Sequence, residues 1–81
     1  MINKRAILHL ILDRIEPDWV IVKPDPLNPN DRSGKCHFQS AKPKDYREAF
    51  AHIPDELFHN GDLGVIERLV RNAIKNATPK F

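Results

Sequence analysis

The stretch "KRAILHLILDRIEP", Lys4 to Pro17, decides the fold, because it can be read with two periods. As a strand, Leu8, Leu10 and Leu12 alternate on one face, but Ile7 and Ile11 then share the other face with His9 and Asp13. As a helix, Arg5, His9, Asp13 and Glu16 recur at intervals of four, four and three and form one narrow wet stripe. Ile7, Leu8, Ile11 and Ile15 then take the opposite side. The helical period separates polar from apolar better, so the sequence predicts a helix over Lys4–Ile15. Asn3 supplies an N-cap. Pro17 stops the helix, since a residue before proline avoids the helical region.

Working outward, "WVIVK", Trp19–Lys23, is β-branched and aromatic and predicts a strand, apolar on both faces. Pro24 ends it for lack of an N–H to donate. "KCHFQ", Lys35–Gln39, predicts a second strand, with Cys36 and Phe38 on one face and Lys35, His37 and Gln39 on the other. The two are expected to pair as an antiparallel hairpin. Tyr46, Ala49, Phe50 and Ile53 repeat at helical spacing, so Pro43–His52 reads as a second long helix ended by Pro54. "PDELFHNG" reads as one turn closed by Gly61. Asp62 then caps a last helix over Leu63–Ala77, with Ile66, Leu69, Val70, Ala73, Ile74 and Ala77 along its core side. The expected architecture is a small α+β domain in the order α-β-β-α-(turn)-α, a two-stranded hairpin packed against helices. Such a hairpin leaves strand edges open to a further strand, from a second copy or from a partner.

The chain has 81 residues, which sets the expectation of a single domain over residues 1–81. A chain of this size buries roughly 60% of its unfolded surface, so its core is thin. Hydrophobic residues make up 41% and charged residues 30%, a globular balance and not a disordered one. Lys4 and Arg5 before an apolar run loosely match a secretory signal. However, His9 interrupts the run, Asp13, Arg14 and Glu16 follow it, and it lacks a small-residue cleavage site. No stretch approaches the roughly 20 apolar residues of a membrane span. One cysteine, Cys36, permits no internal disulfide. A cytoplasmic protein with no membrane partner is the expectation.

Formal net charge is +2, too little to imply nucleic acid by itself and contrary to an acidic mimic of DNA. The distribution says more. Glu48, Asp55, Glu56, Asp62 and Glu67 fall in a segment free of Lys and Arg, and Arg68, Arg71, Lys75 and Lys80 follow with no acid. Acids at helix starts and bases at helix ends account for most of this.

No catalytic constellation emerges. Cys36 and His37 are strand neighbours and project to opposite faces, so they do not form a nucleophile–base pair. Cys36, His37, His52 and His59 match no zinc spacing. "NGDLG" precedes a helix, yet Asp62 is negative and the loop lacks the lysine of a phosphate cradle. Asp55 and Glu56 suit a helix start better than acid–base work. The expectation is a non-enzyme with no cofactor and no metal.

Two surfaces carry the binding expectations. The connection Pro24–Gly34 spends eleven residues where a hairpin normally uses two to five. Its prolines lower the entropy lost on ordering. Asp25, Leu27, Asn28, Asn30, Asp31 and Arg32 would offer a preset shape, polar contacts and one apolar anchor to a larger protein. The sequence therefore predicts a small interaction or inhibitor protein docking on a larger protein, of the kind phage and mobile elements carry, with a homodimer as a further expectation. The alternative is a nucleic-acid-binding regulator. There Arg68, Arg71, Asn72, Lys75 and Asn76, on the outer side of the last helix, would meet base edges and phosphates.

Overall fold

The amino-terminal stripe coils as its spacing predicts. The computed structural model describes residues 3–29, 31–43 and 45–79, and in it α1 spans Lys4–Ile15. The Asn3 side chain accepts from the Ala6 amide at 3.1 Å, which satisfies one of the donors that a helix start leaves unpaired. Leu8, Ile11 and Leu12 are buried, and Ile7 and Ile15 pack at the margin of the same core. His9 and Asp13 remain in water, and so does Leu10. Glu16 closes the helix by donating its amide to the Leu12 carbonyl.

The chain then runs into β1 (Trp19–Lys23), β2 (Lys35–Ser40) and β3 (Arg47–His52), followed by α2 (Asp55–His59), α3 (Leu63–Lys75) and a two-residue β4, Thr78–Pro79. The result is a small α+β domain, as expected in class. The sheet has four antiparallel strands in the order β1-β2-β3-β4. Pairing aligns Ile21 with Phe38 and Phe38 with Ala49, so these side chains meet on one face.

One element departs from the expected order. Pro43–His52 is not a helix: Arg47–His52 is the third strand, paired along β2 from Lys35↔His52 to Gln39↔Glu48. The physical reason is tertiary. The apolar residues at 46, 49, 50 and 53 fit a helical stripe, but β2 presents a row of backbone groups that a neighbouring strand satisfies and a helix cannot. Strand alternation sends Ala49 inward and Glu48, Phe50 and His52 outward, and Ile53 just beyond the strand is fully buried. The hairpin of the sequence reading thus becomes a meander, and β4 covers one end of β3 through Glu48↔Thr78 and Arg47↔Pro79.

The inner sheet face carries Trp19, Ile21, Cys36, Phe38 and Ala49. It packs on Leu8, Ile11 and Leu12 of α1, on Ile66, Val70 and Ile74 of α3, and on Phe58 of α2 in one core cluster. Each fully buried Leu, Ile or Phe contributes about 1.5–3 kcal/mol relative to exposure. α3 stops at Lys75, close to its expected end. Its start at Asp62 is capped by that residue's backbone carbonyl, which accepts from Val65 and Ile66, and not by its carboxylate. Among the described residues no helix is long and apolar enough to cross a membrane.

Candidate binding surfaces

β3 has an unfinished edge. The Ile53 amide donates to the Gly34 carbonyl at 2.8 Å, which fixes the alternation of the strand. Ala51 and Ala49 therefore direct their backbone groups to β2, while Phe50 and His52 direct theirs away from it. β4 reaches Glu48 and goes no further toward Phe50. Beside this stretch runs a groove of about 420 Å³ between β3 and α3, with Ala51, Leu69, Asn72, Ala73 and Asn76 among its walls and Thr78 at one end. The opposite edge of the sheet is β1, which is bulged between Ile21 and Lys23 and ends at Pro24. A bulge, a lysine and a proline are the features that discourage strand addition.

Among the described residues, none packs over the outer sheet face as the helices do over the inner one. Both long helices pack on the inner side, so Val20, Lys35, His37, Glu48, Phe50 and His52 look outward. Phe50 is 63% exposed. Its ring stacks on His37 with centroids 4.3 Å apart and planes 16° apart. Lys23, Lys35, His37, Phe50 and His52 line a shallow depression of about 480 Å³ on this face. Glu48 Oε1 lies 3.4 Å from His37 Nε2.

The connection between β1 and β2 is built as a preset shape. Asp25 Oδ1 accepts from the Leu27 amide at 2.8 Å and Asp31 Oδ1 from the Ser33 amide at 2.9 Å, two side-chain-closed turns. The Ser33 amide also holds the Asp31 carboxyl below its ordinary range. α1 clamps the loop from below. Arg5 donates to the Pro24 carbonyl at 2.6 Å, and Lys4 donates to the Asp31 carbonyl. Leu27 stands 94% exposed at the crest, with Asn28 and Arg32 also in water. Asn30, grouped with them by sequence, lies outside the described residues.

The five residues on the outer side of α3 divide over a ridge. Asn72 and Asn76 line the groove beside β3, and the Asn76 side-chain Nδ2 donates to the Asn72 backbone carbonyl at 3.0 Å. Arg71 and Lys75 border a depression on the other flank with Ile15 and Glu16 of α1. Arg71 is engaged by Glu67, 3.4 Å away, and Arg14 meets the same carboxylate. Arg68 is exposed.

Of the thiol and imidazole groups weighed for catalysis or metal binding, Cys36, His37 and His52 border the outer-face depression and His59 lies apart from it on α2. Cys36 is buried, and burial pushes its thiol up to about 11. His59 turns to Asp55, at 3.3 Å, while His52 lies against Gly34. Among the described residues no cluster of three or more His, Cys, Asp or Glu comes together as a metal cage. The groove beside β3 and the Phe50–His37 stack were not visible to sequence reasoning, because both depend on residues 47–52 being a strand. Comparison with protein-family models, with curated proteins and with solved structures finds no match to this chain.

Proposed function

We propose that this chain is a small non-enzymatic protein-binding protein of the interaction or inhibitor type, working in the cytoplasm, that docks on a larger protein by accepting one of its extended segments as a strand beside β3. The observation that carries this reading is the outward row of backbone groups at Phe50 and His52 next to the groove of α3. A segment laid there would gain main-chain hydrogen bonds from β3 and place alternate side chains against Leu69 and Ala73, the mode known as strand addition. β4 already uses the same edge at Glu48, which supports its competence to pair. The proline-bearing loop supplies a second contact, with Leu27 as apolar anchor on a frame that Lys4 and Arg5 hold in place. Pre-ordering lowers the entropy cost of docking. A second copy of the chain offering its own edge would give a homodimer by the same chemistry.

The test is selection from a displayed library of extended peptides, followed by NMR of the complex. Selected peptides should shift and protect the amides of Phe50 and His52 and lose binding to Asn72→Arg, whose long side chain fills the groove from an exposed position. Leu27→Ala and Arg32→Ala test the loop against the natural partner. Peptides that leave both β3 amides unprotected and bind Asn72→Arg as well as wild type overturn the reading.

A further inference from the structure

The outer face of the sheet carries chemistry that strand addition does not use. Phe50 sits there as an exposed flat ring whose back is supported by the His37 imidazole, 4.3 Å away and nearly parallel. Lys23 and Lys35, with His52, line the same depression. The carboxylate on the strands of this face, Glu48, is turned to His37 Nε2 at 3.4 Å, and Asp31 in the adjoining loop feels the charge of Lys23. Lys23 and Lys35 are exposed. No ion pair joins either lysine to a described residue.

We infer that this face is a binding site for single-stranded nucleic acid, with a base stacked on Phe50 and the flanking phosphates on Lys23 and Lys35. The argument is charge and shape together. A strand-borne ring with its open face in water stacks on any base, and it is the unpaired base of a single strand that has a free π-face to give. Lys23 and Lys35, both on the β1–β2 side of the ring, neutralise backbone phosphates without reading sequence. A depression of about 480 Å³ has the size of a site for one nucleotide unit and not for a duplex groove. An acidic peptide would satisfy the lysines but leave the open face of the Phe50 ring in water.

The depression shares Phe50, Ala51 and His52 with the groove beside α3, so the Phe50 and Lys35 side chains test this site and the β3 backbone amides test the other. Fluorescence anisotropy of labelled ten-nucleotide oligo-uridine and oligo-thymidine against the whole chain reads it directly. Binding should weaken with salt at a slope of log K on log salt near −1.4, about −0.7 for each of two phosphate contacts. Lys35→Gln should bring the slope to about −0.7. Phe50→Ala should weaken binding by about tenfold and Phe50→Trp should preserve it. The proposal is overturned if no oligonucleotide binds at low salt, if a duplex of equal length binds as well as the single strand, if Phe50→Ala binds as wild type does, or if oligo-glutamate displaces the strand at equal charge concentration.

Discussion

The Lys4 ammonium lies 2.7 Å from Asp55 Oδ1, which joins the first turn of α1 to the start of α2 across the whole length of the intervening sheet sequence. Lys4 is only 5% exposed. It also donates to the Asp31 carbonyl and stands 5.9 Å from the centre of the Phe58 ring. One side chain thus holds the long loop, the core margin and α2 together. Lys4→Ala should cost about 1.5–3 kcal/mol, the range for a hydrogen bond from a charged donor. Denaturant titration reads that loss, and faster amide exchange at Ser33 should accompany it.

The same contact sets an acid limit. The hydrogen bond from Lys4 holds the Asp55 carboxyl below its ordinary 3.8, with burial opposing and the nearby charges of Lys4 and His59 assisting. A depressed carboxyl stabilises the fold above its unfolded value, and that stabilisation fades as pH falls from there through the lower folded value. Asp55→Asn should therefore be less stable than wild type at neutral pH and should converge with it in acid. Parallel thermal melts from neutrality to below pH 3.8 check this. Curves that keep a constant gap throughout that range contradict the assignment.

Gly34 is a position where no other residue fits. Its φ is +78°, and a Cβ there would stand 2.6 Å from His52 Cε1. A left-handed backbone costs an L-residue about 1–2 kcal/mol, and the imidazole must also move. Gly34→Ala should lose at least that much. In a Gly34→Ala/His52→Ala double variant the loss should be smaller than the sum of the two single changes, because removing the ring removes the clash. A strictly additive cycle rules out the contact.

Cys36 is predicted to be inert in the folded protein. With burial raising its thiol to about 11, only about one molecule in a thousand carries the thiolate at pH 8. Ellman's reagent should react at the rate of unfolding in native buffer and at once in denaturant. Because the folded thiol holds its proton longer than the unfolded one, stability should fall as pH rises from its ordinary 9.0 toward 11. Rapid labelling under native conditions would place the thiol at the surface.

Most of the fold was legible where a segment's own pattern agrees with its neighbours. α1, β1, β2 and α3 follow from period, caps and prolines, and their bounds differ from expectation by a residue or two. The third strand was not legible because its identity is imposed from outside. Residues 47–52 include alanines and a glutamate, good helix formers, and their stripe is real, but the open edge of β2 outweighs about half a kcal/mol per residue of propensity. The edge at Phe50 and His52, the groove beside α3 and the aromatic outer face all depend on that strand, so the local pattern does not show them either. The place of the loop between β1 and β2 was legible from the prolines that bound and fill it. The clamp on it by Lys4 and Arg5 joins residues 27 and 19 positions apart, a separation that local reading does not reach.

The two readings of residues 46–53 make opposite demands on Phe50 and Ile53. On a helical stripe both would point to the core, and truncating either would cost several kcal/mol. On a strand they part company. Ile53 is fully buried, and Phe50 is 63% exposed with one face on His37. Ile53→Ala should therefore cost about 2–5 kcal/mol through the cavity it leaves. Phe50→Ala should cost about 1 kcal/mol or less, the worth of one aromatic contact at a surface. Equilibrium denaturation of the two variants measures both. Equal, large losses would mean that Phe50 is in the core, and the strand, its open edge and the surfaces built on it would fall together.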